Sequence, residues 1–386
     1  MHSPLLMPLI DIDWREKKTM FVKGMELSET FFKEAVEPIL DEVGGQLRYS
    51  AGLLGPGSEV LGFDNEISSD HHWGPRVMLF LEPGEVEQLG GTLKTVLSHK
   101  LPRSYKGYPT SFTAPGGDSA NAVVQMLDYE NQGQGMINHR VEIFSFEGFL
   151  EKYLGFSLKE PFTESQWLSL PQQHLRSLKA GRLFRDDLGL GERLAEVNYY
   201  PRDIWLYLLA STWCRIEQTE HLMGRAGHVG DEIGSSLIAA SIVKDLMRLV
   251  FLMEREYYPY AKWFGTAFNQ LKGAMLLKPH LESALASQSW EDRERCLVKA
   301  YGIVAEMHNR LGITEALPEE PRSFHGRPYK VISLGEFSRA IKGAIEDPAV
   351  ARLCHGRLYG NIDLVTDSTD VVESLSARAA LRHIYD

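Results

Sequence analysis

The sequence predicts an α+β fold, with a mixed β-sheet and flanking helices near the N-terminus and a helical bundle after them. Three short apolar segments with strand character lie before residue 150. From about residue 167, long segments with helical periodicity dominate instead. A chain of 386 residues is long enough for two domains with separate cores. We therefore expect a sheet domain over residues 1–160 and a helical domain over residues 161–386.

The N-terminal elements follow from hydrophobic periodicity and from turn residues. Apolar positions recur at helical spacing over 19–43 and again over 85–99, whereas short apolar runs indicate strands. The expected strands are Arg48–Leu54, Arg76–Leu81 and Val141–Phe146. This alternation of helices and strands favours a small mixed sheet with helices packed on it.

The C-terminal part carries the longer helical patterns. The expected helices cover 166–180, 201–223, 230–257 and 290–311. Residues 202–311 are therefore expected to form a bundle. The segment 322–386 suggests two short helices and includes NIDLVTDSTDVV, to which periodicity assigns no role.

Composition excludes several classes of protein. The net charge of −11 argues against a broad nucleic-acid surface and is compatible with a small or cationic substrate. The cysteines have no metal-ligand spacing and are expected to be reduced thiols of a cytoplasmic protein. The N-terminus lacks the basic region of a secretory signal, and the apolar segment 242–253 contains three charged residues, so neither export nor membrane insertion is expected.

One stretch, LLGPGSEVLGFDNEISSDHHWGPRVMLFL, carries side chains suited to phosphate and metal chemistry. Gly57 allows close approach of the backbone, and the N–H groups of Gly57 and Ser58 can bind phosphate oxygens. Asp70 follows Ser58 after a gap of eleven residues. A phosphate beside a carboxylate is a typical setting for Mg²⁺. The alternative is a polar turn that only connects two strands.

This spacing resembles the signature of the DNA polymerase beta superfamily of nucleotidyltransferases. Its members carry Gly-Ser, about a dozen residues, then Asp-x-[Asp/Glu] and a strand. A third carboxylate normally lies on a later strand, and the resemblance implies Glu142 in RVEIFSF for that position. Carboxylates from two strands, Asp70 and Glu142, are thus expected to converge beside the Gly-Ser bend.

A closer resemblance is to a bacterial and fungal family of unknown function whose members carry GxGSExLGFDxExSxDHDWGPR. It extends through WLSLPQQHLRSLKAGRLFRDDLG, YYPRDIWLYLLASTW, GRAGHVGDEIGSSLIAASIVKDLMRLVFLMERE, PYAKWFGTAFNQL, AEMHNRLGIT and DSTDV. The resemblance covers nearly the whole chain. It implies a nucleotidyltransferase-like N-terminal domain and a helical C-terminal domain, without naming a substrate.

The sequence departs from that motif at His72, where the family has the second acid. Imidazole is a poor ligand for Mg²⁺ and suits softer ions. Three interpretations are possible. In the first, the metal is held by Asp70, Glu142 and a nearby acid such as Asp64 or Glu66. In the second, the preferred ion is Mn²⁺, with His72 as a ligand; in the third, transfer is lost and the protein is a nucleotide-binding relative.

Further candidates lie in the helical part. Glu232 is a candidate general base, although acids in the first turn of a helix, Asp231 included, also complement the helix dipole. Lys262 and Arg225 are candidates for binding a triphosphate, and a lysine lying along apolar surface is the alternative for Lys262.

These residues lead to two hypotheses of function. The first is an enzyme that transfers an NMP from an NTP to a hydroxyl of an unknown small-molecule acceptor, with Mg²⁺ or Mn²⁺ as cofactor. Asp70, Glu142 and Glu232 would be catalytic, and Gly57, Ser58, Lys262 and Arg225 would bind the nucleotide. The second is a nucleotide sensor on the same fold, favoured by His72. Nucleic acid is a disfavoured partner, and homodimer formation is left open.

Overall fold

A four-stranded mixed sheet organises the first half of the chain. The computed structural model describes residues 21–45, 47–69, 72–114, 124–127 and 135–385. The strands of the sheet are β1 Ser50–Leu53, β2 Arg76–Phe80, β5 Arg140–Phe144 and β6 Arg182–Asp186. They have the order β5-β2-β1-β6, with β1 antiparallel to both of its neighbours and β5 parallel to β2.

Helices cover the sheet and then build the rest of the chain. The first three are α1 Gly24–Phe31, α2 Glu37–Gly44 and α3 Pro83–Lys100, with a π-helical turn Phe32–Val36 between α1 and α2. They are followed by α4 Phe146–Leu154, α5 Glu164–Ser169, α6 Gln172–Ala180, α7 Leu190–Ala195, α8 Arg202–His228, α9 Glu232–Met253, α10 Ala261–Phe268, α11 Ala274–Ala286 and α12 Trp290–Arg310. The connection α3 between β2 and β5 is the helix that a parallel strand pair requires.

Short elements complete the chain. Two-stranded ribbons are formed by β3 Ser104–Tyr105 with β4 Tyr108–Pro109, and by β7 Arg322–Ser323 with β8 Lys330–Val331. The C-terminal helices are α13 Glu336–Gly343, α14 Pro348–Leu353, α15 Ile362–Val365, α16 Thr369–Glu373 and α17 Leu375–Arg382.

The two faces of the sheet pack on different groups of residues. Alternate residues of a strand point to opposite faces. Val77 and Leu79 therefore face α1 and α3, where they join a core that includes Phe31 and Leu97. Met78, on the other face, joins a larger core that continues into the helical part of the chain. The helical part of the chain thus shares its apolar core with one face of the sheet, while the other face has a separate core.

The structure confirms an α+β fold and corrects three details of the expected elements. The segment 322–386, expected to hold two short helices, holds five in its described part, α13 to α17. The helix expected over 166–180 is two helices, α5 and α6, because Pro171 lies at their junction and lacks the N–H that a helix interior requires. A fourth strand, β6, follows them and pairs with β1, although strand character was expected to fade in this region. The sheet therefore extends past residue 160, and the domain boundary proposed there stays a prediction.

Within the described residues, no helix combines the length and the apolar character needed to cross a membrane.

Candidate functional site at one edge of the sheet

Three chain segments meet at one edge of the sheet. β1 runs antiparallel to β2, and β5 runs parallel to β2. The carboxyl end of β1 therefore lies beside the amino ends of β2 and β5. Three segments consequently lie at this end of the strands: the turn that follows Leu53, the approach to Arg76 and the start of β5 at Arg140. We call it the site edge, meaning the ends of these strands and not an outer strand of the sheet.

The Gly-Ser turn is a tight bend directly after β1. Gly57 has a φ of 149°, a conformation that residues with a side chain rarely adopt. A Cβ atom on Gly57 would lie 2.5 Å from Nη2 of Arg76. The bend is closed by the N–H of Phe63, which donates to the carbonyl oxygen of Ser58 at 2.9 Å. Position 57 therefore tolerates glycine alone without rearrangement.

A buried ion pair, Glu59 with Arg76, lies under this bend. Oε1 of Glu59 is 2.7 Å from Nη2 of Arg76, and the two side chains are 1% and 7% exposed. The same Nη2 donates to the carbonyl oxygen of Pro56 at 2.7 Å. Burial raises the pKa of Glu59, while the positive charge of Arg76 opposes that shift. The pair ties the bend to the first residue of β2.

Sequence reasoning missed Glu59 and Arg76. The signal available was an arginine at the start of the apolar run RVMLFL and a glutamate directly after Gly-Ser. Because charged side chains are almost never buried without a partner, an arginine in a buried strand calls for a nearby carboxylate.

Asp64, one of the alternative metal ligands, has a structural environment. Its Oδ2 accepts hydrogen bonds from the N–H of Gly24 at 2.7 Å and from Nε1 of Trp73 at 3.1 Å. Nζ of Lys23 lies 3.3 Å from its Oδ1. These contacts hold the start of α1 against the turn region. Glu66, the other alternative, is exposed.

Glu142 presents a carboxylate at the site edge. It pairs in register with Met78, and Arg140 pairs with Arg76, so Glu142, Arg140 and Arg76 point to the same face of the sheet. The side chain of Glu142 is 45% exposed, and its Oε2 lies 3.6 Å from Nη2 of Arg140. An exposed carboxylate of this kind can bind a hard cation.

The other two predicted metal ligands lie just before β2. Asp70 lies outside the described residues, so its predicted role is unchanged. His72 has a φ of 51°, and its backbone N–H donates to the carbonyl oxygen of Val124 at 2.8 Å. Among the residues that the structure describes, no three His, Cys, Asp or Glu side chains are grouped to hold a metal ion. A three-ligand site that includes Asp70 therefore remains a prediction.

Lys262 lies on α10, which packs against the Gly-Ser turn. The ring of Trp263 is 5.4 Å from the ring of Phe63, centroid to centroid, and Phe63 closes the bend at Ser58. Nζ of Lys262 is 4.8 Å from the centroid of the Trp263 ring. An exposed lysine of the helical region is thus placed one residue from a side chain that contacts the turn.

Glu232 lies at the opposite end of α9. Phe251, near the end of α9, contacts Phe264 of α10 with ring centroids 5.4 Å apart. Glu232 precedes Phe251 by nineteen residues, which corresponds to about 28 Å along a helix. It accepts a hydrogen bond from the N–H of Trp290 at 3.1 Å and pairs with Arg293. The structure does not bring Glu232 and Glu142 together.

Arg225 lies at that same distant end, in the last turn of α8. One turn later, the ring of His228 lies 6.4 Å from the ring of Trp290. Asp231, nearby, accepts a hydrogen bond from the N–H of Gly234 and caps α9, which is the structural alternative that the sequence left open.

Comparison with known sequences gives a family match without an activity. No curated protein matches the chain. The matched segment ends in α10 at Phe264, so it includes Lys262 but neither the Gly-Ser turn nor Glu142. It covers residues 167–264, which match a family model described as a domain of unknown function, DUF4037.

Proposed function

We propose that the protein is a metal-dependent nucleotidyltransferase that moves an NMP from an NTP to a hydroxyl group of a small acceptor. One observation carries this proposal: the bend at Gly57 and the exposed carboxylate of Glu142 lie at the same edge of the sheet. The first offers backbone N–H groups to phosphate oxygens, and the second offers oxygen ligands to a divalent cation.

The predicted ligands would suit Mg²⁺ or Mn²⁺. The ligand set would be Glu142 with Asp70, and His72 would favour Mn²⁺ because imidazole suits softer ions. When bound, the cation would neutralise charge on the transferring phosphate. The exposed carboxylate of Glu142 supports this assignment, since its contact with Arg140 at 3.6 Å leaves its oxygens accessible.

The remaining roles are binding and orientation. Gly57 and Ser58 would hold phosphate oxygens through their N–H groups, and the pair Glu59–Arg76 would keep the bend in place. Lys262 would contribute a positive charge from α10. Glu232 and Arg225 are not part of this proposal, because they lie at the far ends of α9 and α8. The acidic chain favours a neutral or cationic acceptor.

A nucleotide sensor is the second candidate. The observation that favours it is His72, which replaces an acid in the motif that the sequence resembles. With one carboxylate fewer, the cation would bind more weakly, and a nucleotide would bind at the bend without reacting.

The test is a thermal-shift screen of the four common NTPs with Mg²⁺ or Mn²⁺, followed by a pyrophosphate-release assay. The transferase proposal expects metal-dependent stabilisation by at least one NTP, and release of pyrophosphate once a suitable acceptor is present. Glu142→Gln should abolish release, whereas Glu87→Gln, on the exposed surface of α3, should leave it unchanged.

The same screen separates the two candidates. Stabilisation without release across a panel of hydroxyl acceptors would support the sensor. His72→Asp should strengthen Mg²⁺-dependent binding in either case, because it restores a carboxylate. The absence of any NTP effect with either metal would refute both candidates.

A further inference from the structure

Two arginines lie side by side at the site edge. Arg76 and Arg140 are register partners on the parallel strands β2 and β5, so their side chains leave the same face of the sheet. Arg76 is neutralised by Glu59 at 2.7 Å. Two neighbouring cations repel each other, so the second guanidinium needs an anion of its own.

Arg140 has no such close partner within the described residues. Its nearest carboxylate oxygen, Oε2 of Glu142, lies 3.6 Å from Nη2, which is beyond ordinary hydrogen-bond distance. Its Nη1 is buried and has no hydrogen-bond partner in the part of the chain that the structure describes. Leaving a buried donor unsatisfied costs free energy, and a guanidinium has five donors to satisfy.

The surroundings of Arg140 are unfavourable for a positive charge. Most of its side chain is withdrawn from solvent, and its register partner Arg76 carries a second positive charge on the same face of the sheet. The side chain nevertheless remains 15% exposed at the edge that carries the Gly-Ser bend. A bound anion at this position would satisfy the free donor and reduce the repulsion.

We propose that Arg140 binds a phosphate oxygen of the polyphosphate that occupies the site edge. This inference rests on the proposed function and deepens it by naming a phosphate-binding residue of the same site. A planar guanidinium with unused N–H groups suits tetrahedral oxyanions, which it can contact with two parallel hydrogen bonds. Glu142 lies on the same strand two residues further on, so the cation and the phosphate would meet between the two side chains.

The alternative is a purely structural role, in which Arg140 only neutralises Glu142. The two roles make different predictions for a ligand that contains phosphate and nothing else. Inorganic triphosphate is such a probe, and its binding does not depend on transfer.

The experiment is calorimetric titration of inorganic triphosphate, with and without Mg²⁺ or Mn²⁺, into the full chain and three variants. Arg140→Gln should weaken binding roughly ten- to a hundredfold, the size expected for loss of a charge-assisted bidentate contact. Arg140→Lys keeps the charge but loses the planar fork, so its affinity should be intermediate. Arg48→Gln is the control, because Arg48 precedes β1 at the opposite edge of the sheet and is exposed.

Circular dichroism of each variant establishes that it is folded. Wild-type affinity in Arg140→Gln, or no binding of triphosphate to the wild type, would overturn the inference. Binding through Arg140 without pyrophosphate release from any NTP would retain the phosphate site and refute the transferase. Release of pyrophosphate, together with an unchanged triphosphate affinity in Arg140→Gln, would support the transferase and refute the phosphate site at Arg140.

Discussion

Arg293 in the helical region and Arg140 at the site edge differ in how their terminal nitrogens are bonded. In the helical region, Arg293 of α12 is buried and uses both of its terminal nitrogens. Nη1 donates to Glu232 and Ser235, and Nη2 donates to Ser236 and to the carbonyl oxygen of Ser287. These four bonds join the start of α9 to the end of α11 and the start of α12.

At the site edge, the arginines are only partly bonded. Nη2 of Arg76 contacts Glu59 and the carbonyl oxygen of Pro56, whereas its Nε is buried without a partner in the described structure. Nη1 of Arg140 likewise has no hydrogen-bond partner among the described residues. Buried Nε atoms without a partner in the described residues also occur in the helical region, on Arg248 and Arg378, so Nε does not distinguish the two regions. The terminal nitrogen Nη1 of Arg140 does distinguish them among the described residues, and it is the donor that a bound anion would satisfy.

The largest expected effect tests this difference directly. Arg293→Met should destabilise the protein by about 3 to 5 kcal/mol, because it removes four hydrogen bonds and leaves the buried hydroxyl group of Ser235 without this partner. Arg140→Met should cost less than about 1 kcal/mol, because it also removes repulsion from Arg76. Urea unfolding of both variants measures the two costs. Equal costs would show that Arg140 is as structural as Arg293.

The buried pair under the bend should have the next largest effect. Glu59→Gln leaves the charge of Arg76 buried without a counter-ion, and we expect a loss of about 3 kcal/mol. The matched control is Glu42→Gln, which breaks the exposed pair with Lys100 and should cost less than about 0.5 kcal/mol. Similar losses in both variants would contradict the buried role of Glu59.

A third expectation concerns pH and returns to the helical region. Glu220 of α8 is buried and accepts hydrogen bonds from the N–H groups of residues 332–334. Burial raises the pKa of Glu220 to about 7, and the nearby charge of Glu217 adds to the shift. A carboxyl group with a raised pKa in the folded state favours its protonated form there. Its contribution to stability is therefore complete below the pKa of the unfolded chain and is lost as pH rises through about 7.

The measurement is the free energy of unfolding between pH 4.5 and 8 for the wild type and for Glu220→Gln. The wild type should lose about 3 kcal/mol relative to the variant over this range, since each unit of pKa shift corresponds to about 1.4 kcal/mol. Parallel stability curves for the two proteins would show that Glu220 is ionised in the folded state throughout.

Local pattern predicted most of the fold. The central strands were expected at Arg48–Leu54, Arg76–Leu81 and Val141–Phe146, and the observed strands begin within two residues of those positions. The strand β6 was not expected, because RLFRD mixes charged and apolar residues and follows a strong helical pattern. It is held by pairing with β1, a contact distant in sequence that local propensity does not reveal.

The candidate site was predictable only in part, for a similar reason. The resemblance to nucleotidyltransferases implies that Asp70 and Glu142 converge beside the bend at Gly57. The bend and the strand that carries Glu142 do share one end of the sheet, whereas Asp70 lies outside the described residues. Glu232 was nominated because an acid near a glycine-flanked turn suits a base, yet the same pattern suits a helix start. Its actual partner, Arg293, lies 61 residues later in sequence, and only tertiary structure joins the two.

A further expectation concerns the bend at Gly57, where the cause of the expected loss of stability is local. Gly57→Ala should cost about 2 kcal/mol, because the φ of 149° strains any residue with a Cβ and that Cβ would contact Arg76. Gly84→Ala, in the first turn of α3 where a Cβ meets open space, is the control and should change stability by less than about 0.5 kcal/mol. If the bend is also the phosphate cradle, Gly57→Ala should weaken triphosphate binding by far more than its stability loss implies. A folded Gly57→Ala variant with wild-type triphosphate affinity would place the phosphate elsewhere. The difference in bonding between Arg140 and Arg293 would then give no evidence for a phosphate site.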